Sequence, residues 1–411
     1  MTLQITAPPG RRVRWWGTPA ADWTVMDGVR RAWGWVAALR SGSTTPWSAW
    51  TGEGEENGPW LPGAQQLELL RRINLESLRS GRGTDARLAE RVLAASAPGR
   101  GTPDLLLAGG GTEPRFGPRP VDPADLPAAE LLRVAAGLLA EDLAASRRPG
   151  SALEPDRRSW RESSSRVGNR ARRPWAPRYA LVGHPWLVEP AVESLARVGR
   201  GPRPDPRRAY VLGADLPAMI GLAWTARAFD EGGAGWSEWL AGLARADRLP
   251  PRADLVTPAR NWAARIGAER VTVVLDPAAL PGELGVRRVA GPPVVGGAAA
   301  DLARRVGASL GVLVRPRRRS TLLREVLLPR LAGTGGPPVV VPEERWGWVA
   351  ERADRMRDAL SAGGYAVLGD LDQLLGQRAT GTVGGDPPED DVLALATRLL
   401  LDPVRVAEGA P

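Results

Sequence analysis

The sequence predicts an α/β fold, a mostly parallel sheet flanked by helices, for its second half, with a mainly helical region ahead of it. Three observations lead there. Short apolar runs at 179–182, 209–212 and 270–275 have the length and residue types of buried strands. The stretches between them repeat apolar residues at helical spacing, the alternation expected of a parallel sheet. Gly183-His184-Pro185-Trp186 then forms a tight turn between the first run and a helix ending near Gly199. Strand, glycine turn and helix together aim backbone N–H groups at a point where a phosphate can sit.

Composition sets the outer bounds. A chain of 411 residues suits two to three domains and a substantial core. No apolar run approaches the ~20 residues of a membrane span, and the N-terminus lacks a basic-then-apolar leader, so a soluble, cytoplasmic protein is expected. With no cysteine, disulfides, thiol nucleophiles and thiolate metal sites are excluded. His184 is the only histidine, which rules out a metal centre built from several histidines. The formal charge is +9, and all 55 basic residues are arginine. A GC-rich coding bias accounts for that balance more readily than nucleic-acid binding, which is not expected. Arginine is permanently charged, so no amine nucleophile is available.

Residues 1–62 hold eight of the 17 tryptophans: Trp15, Trp16, Trp23, Trp33, Trp35, Trp47, Trp50 and Trp60. Only 27–39 has helical promise. The preferred reading is that these rings anchor an irregular segment, rather than stack on bases or sugars. Residues 63–147 read as a helical region: two amphipathic helices over 65–97, a short strand at 104–108, a glycine connector at 109–112 and a helix over 127–146. Residues 148–175, rich in Arg, Ser and Pro, are read as a linker. The α/β domain is expected over 176–376. Its further helices fall at 189–198, 216–229, 236–244, 258–266, 301–306, 322–331 and 342–362, followed by a strand at 365–368 and a short helix over 370–375. Residues 377–411 form a hinge and a terminal helix, 390–400.

The order of these pieces resembles the bacterial sulfotransferase family, in particular its actinobacterial members. The likeness is carried by GHPWLVEPAVESL (183–195), VLGADLPAMIGLAWTARAFDEGGAGWSEWL (211–240), RNWAARIGAERVTVVLDP (260–277), ASLGV (308–312) and RWGWVAERADRMRDALSAGGYAVLGDLDQLL (345–375). It covers the C-terminal half only. The resemblance implies a P-loop-like fold that binds the sulfate donor PAPS at the turn after residue 182. It also implies a 3′-phosphate contact near the strand at 209–212.

The donor motif is degenerate. Where the family places Lys-x-Gly-Thr-Thr, this chain has Trp186-Leu187-Val188-Glu189-Pro190. The cation is missing, Glu189 repels phosphate, and Pro190 lacks an N–H. Ala214-Asp215-Leu216 replaces the Arg-containing loop, with Asp215 expected as a helix N-cap. A surviving donor site would be built from Gly183, Trp186, Arg178, Arg207, Arg208 and Arg227, with His184 and Glu238 as candidate catalytic residues. Glu231 and Asp276 are further candidates in the loops above the sheet. Glu343-Glu344, Asp390-Asp391, Asp370 and Asp372 are expected to serve helix first turns, and Arg315–Arg319 a solvated loop.

The expected function is a sulfotransferase-like protein with an eroded PAPS site, acting as a non-catalytic binder of an anionic ligand or as a partner of a true sulfotransferase. The alternatives are an active divergent sulfotransferase using His184 and arginines, and an Arg-rich nucleic-acid binder.

Overall fold

The computed structural model describes residues 23–58, 60–96, 104–111, 116–146, 178–203, 205–377 and 384–402. The linker expected at 148–175, and Trp15 and Trp16, lie outside the described residues. The chain divides into two compact units, Met1–Pro127 and Ala128–Pro411.

In the first unit, three helices pack on one another: α1 (Trp23–Arg40), α2 (Ala64–Arg79) and α3 (Ala86–Ala94). Helix α1 contains the helical stretch expected at 27–39 and extends it by four residues at its start and one at its end. Three tryptophan rings anchor residues 23–58, while Trp60 is 80% exposed. Trp33, Trp35 and Trp47 are buried, Trp35 and Trp47 lie 5.4 Å apart, and the Arg31 guanidinium sits 4.0 Å over the Trp47 ring. Trp47 Nε1 donates to the Ala108 carbonyl and Trp50 Nε1 to that of Arg31, so both polar tips are satisfied inside the unit. The strand expected at 104–108 reduces to a single bridge between Leu107 and Val121.

The second unit holds a four-stranded, all-parallel sheet: β1 (Tyr179–Gly183), β2 (Arg208–Leu212), β3 (Val271–Val274) and β4 (Ala366–Leu368), in the order β1-β2-β3-β4. Adjacent residues of β2 and β3 are buried on both faces, as a helix-covered parallel sheet requires. Open α/β sheets bind ligands where the strand order reverses. The sequential order here contains no such reversal among the described strands, and β1 is an edge strand.

The connections are α5 (Pro185–Arg197) after β1, then α6 (Leu216–Asp230), α7 (Trp236–Arg245) and α8 (Val256–Ile266) after β2. After β3 come α9 (Leu280–Leu284), α10 (Gly297–Leu313) and α11 (Pro316–Leu322). A π turn (Leu323–Leu327) leads into α12 (Leu328–Leu331), followed by α13 (Glu343–Ala362). On one sheet face Tyr179, Leu181, Tyr210, Leu212 and Val274 pack against Leu187, Ala191 and Leu195 of α5 and Leu280 and Leu284 of α9.

Two boundaries differ from expectation for physical reasons. Helix α4 (Ala128–Ala145), read as part of the helical region 63–147, packs against α10 and α14 (Glu389–Leu401) in the second unit. Nine of its 18 residues are buried, so it needs partners on more than one side. The same contacts place α14 in this unit. The cluster at Arg315–Arg319, read as a loop, begins α11 with Pro316 at its first turn, a position proline favours.

Candidate functional site

The strand–turn–helix over 179–197 is present. Gly183 has φ +120°, and a Cβ there would run into the Leu212 carbonyl oxygen, so only glycine lets β1 exit against β2. His184 N–H donates to that same carbonyl at 3.3 Å. The next residue, Pro185, is the first of α5, which starts four residues earlier than its periodicity suggests.

His184 is fully buried and serves as the N-cap of α5: its Nδ1 accepts the Trp186 backbone N–H at 3.2 Å. That bond assigns the ring proton to Nε2, which is buried and has no hydrogen-bond partner among the described residues. Burial, and then the Arg252 charge, push the imidazole pKa down to about 4. The ring is therefore neutral at working pH, with its one lone pair committed to the helix cap. In this arrangement neither nitrogen can accept a substrate proton without breaking the cap.

Trp186 does not line an opening. It is buried, its ring 5.7 Å from that of Phe229 at 43° between planes. Glu189 is tied down as well. Its Oε2 accepts from Arg324 Nη1 at 2.9 Å, Arg324 Nε donates to Asp230 Oδ1 at 2.6 Å, and Arg252 Nη2 donates to Asp230 Oδ2 at 2.7 Å. Burial works against the Arg324 charge, yet the Asp230 and Glu189 carboxylates outweigh it and raise its pKa. The four groups Glu189, Arg324, Asp230 and Arg252 sum to zero charge, so these two guanidiniums are already neutralised.

The carboxyl ends of all four strands repeat this pattern. His184 accepts from Trp186 N–H, Asp215 from Ala218 N–H (2.8 Å), Asp276 from Ala278 N–H (2.9 Å) and Asp370 from Asp372 N–H (2.9 Å). At each exit a side chain accepts a hydrogen bond from a backbone N–H that an anion would need. Three of the four are carboxylates, which adds repulsion. No cluster of three or more His, Asp or Glu able to hold a metal ion occurs among the described residues.

The remaining sequence candidates lie elsewhere. Arg178, Arg207 and Arg208 sit at the amino ends of β1 and β2, where Arg207 N–H donates to the Arg178 carbonyl and Arg178 faces Asp205 at 3.7 Å. The turn is at the opposite end, five strand residues or roughly 16 Å away. Arg227 is placed 3.8 Å from Glu231, one helical turn on. Glu238 is exposed in the first turn of α7, while its neighbour Trp236 is fully buried and donates from Nε1 to the Val340 carbonyl. The structure thus brings together Gly183, His184, Trp186 and Glu189, places Arg178, Arg207 and Arg208 at the opposite ends of their strands, and pairs Arg227 with Glu231. Asp230, Arg252 and Arg324 complete the site. Nothing local in the sequence marks them, since Arg324 is 135 residues from Glu189.

No family model, curated protein or solved structure matches this chain. Among the described residues no helix is long and apolar enough to cross a membrane.

Proposed function

We propose that the chain is a sulfotransferase-like α/β protein whose donor turn no longer takes PAPS, and that its role is non-catalytic: it binds an anionic ligand or partners a true sulfotransferase. The observation that carries this reading is the closure of the turn by its own side chains. His184 occupies a backbone donor at the start of α5, and Trp186 fills the space beneath it against Phe229. Sulfuryl transfer needs positioning and positive charge on the equatorial oxygens. Here the nearby guanidiniums of Arg324 and Arg252 are committed to Asp230 and Glu189. In this reading the P-loop-like likeness rests on β1, the turn and α5, while the sequential strand order sets the sheet apart from one with a topological switch point.

Sulfuryl transfer from PAPS to a panel of phenol and amine acceptors tests it. The wild-type chain should show no transfer above the uncatalysed rate. Transfer that disappears in His184→Asn would establish the turn as a working donor site and overturn the proposal.

A further inference from the structure

A cavity of about 900 Å³ lies away from the closed turn, between the end of α5 and the segment after α9. Its volume is in the range of small-ligand pockets. Four arginines, Arg197, Arg200, Arg287 and Arg288, line it, and among the described residues no Asp or Glu does. Arg197 has a surface pair with Glu193 at 3.4 Å. Arg200, Arg287 and Arg288 have no ion pair among the described residues.

The walls are held by backbone geometry. Helix α5 ends at Gly199, in the left-handed region at φ +72°, with Arg200 N–H returning to the Leu195 carbonyl at 2.8 Å. Helix α9 ends the same way at Gly285 (φ +62°), with Val286 N–H returning to the Pro281 carbonyl at 3.0 Å. These are αL helix closures, and each delivers arginine one to three residues beyond its glycine. The two segments are joined where Ala290 N–H donates to Ser194 Oγ at 3.1 Å. The Tyr179 hydroxyl donates to the Arg200 carbonyl and anchors the other side to β1.

Arginine near a helix C-terminus also has a purely structural use, offsetting the helix dipole. The magnitudes decide between the two uses. Two helix ends supply at most about one negative charge, and Glu193 supplies another, against four guanidiniums. The cavity remains positive. Its lining also includes apolar residues: Val198 is 63% exposed, and Val286, Val289 and Ala290 are half-buried, the two valines with one flank against the core.

We propose that this cavity is a binding site for a small phosphate ester carrying two or more negative charges next to an apolar ring, of which a nucleoside polyphosphate is the simplest representative. The guanidiniums clamp the phosphates through paired N–H donors, and the valine side takes the ring. The assignment is independent of whether the His184 turn ever held a sulfate donor, since the two places share no residue.

The test uses the full chain and two probes, ATP and inorganic tripolyphosphate, titrated calorimetrically at low and moderate salt. ATP should bind the wild type, more weakly at higher salt, and tripolyphosphate should bind less tightly because it leaves the valine side empty. Arg287→Ser/Arg288→Ser should lower ATP affinity about tenfold or more, as expected for lost charge-assisted pairs. Arg317→Ser/Arg318→Ser removes the same net charge outside the cavity and should leave ATP affinity within about twofold of wild type. Circular dichroism and melting check that both variants fold. Equal losses in the two variants would reduce the effect to net charge and overturn the proposal. So would an absence of ATP binding by the wild type, or tripolyphosphate binding as tightly as ATP.

Discussion

His184 Nδ1 accepts the backbone N–H of Trp186 at 3.2 Å, so the residue that opens helix α5 also closes the turn where a phosphate would enter. This one bond links local structure to function. It stabilises the helix start and uses the donor and the lone pair that binding and catalysis would each require.

The cap itself is testable by substitution. Asparagine can accept the same N–H, whereas alanine cannot. His184→Ala should therefore cost about 1 kcal/mol more than His184→Asn, the usual value of a side-chain N-cap. Urea unfolding followed by tryptophan fluorescence gives both values. Equal stabilities would mean that the cap bond contributes nothing.

The same imidazole predicts a pH dependence. Its folded pKa is about 4 against an unfolded value near 6.5. Between those values the unfolded chain binds a proton that the native state refuses, so stability rises with pH through this window. It is complete above about pH 6.5 and lost as pH falls towards 4, by about 3 kcal/mol in all. Since His184 is the only histidine, the fall between pH 6.5 and 5 should largely vanish in His184→Asn. An unchanged profile in that variant would place the transition on carboxylates instead.

The charge chain makes an ordered prediction. Asp230 holds two guanidiniums and is 14% exposed, whereas Glu189 holds one and is 48% exposed. Asp230→Asn should therefore cost about 2 kcal/mol, between a surface pair and a fully buried one. Glu189→Gln should cost under about 1 kcal/mol, as for a surface pair. Denaturant midpoints of the two variants check the order, and the reverse order would contradict the network as described.

Gly183→Ala tests the backbone requirement. At φ +120°, facing the Leu212 carbonyl, the added Cβ forces β1 and β2 apart. A loss of at least about 3 kcal/mol, or failure to fold, is expected. A variant of near wild-type melting temperature would show that the β1 exit is not fixed as described.

Much of this fold was legible in the sequence because it rests on local signals. The apolar runs at β1, β2 and β3 and the cap at Asp215 declare themselves within a few residues. The periodicity marks only 301–306 of helix α10, because Gly297, Gly307 and Gly311 dilute it, yet burial of Ala299, Ala300, Leu302 and Leu310 holds the helix over 17 residues. The π turn at Leu323–Leu327 was hidden too. Pro329 has no N–H to donate, and Leu328 N–H reaches back to the Leu323 carbonyl in that register. Arg324 sits in that turn, so its pairing with Glu189 and Asp230 depends on tertiary approach that no spacing rule reveals. The same holds for the turn: Trp186 reads as a loop residue until Phe229, 43 positions on, is seen against it.

In the proposed reading the turn after β1 is closed to a sulfate donor. Its most direct test is calorimetric titration of the donor product 3′-phosphoadenosine 5′-phosphate into the Arg287→Ser/Arg288→Ser chain, in which the outer cavity has lost two of its four arginines. The closed turn predicts only weak residual binding at the outer cavity, unchanged when His184→Asn is added. Micromolar binding in that chain, abolished by adding His184→Asn, would contradict it.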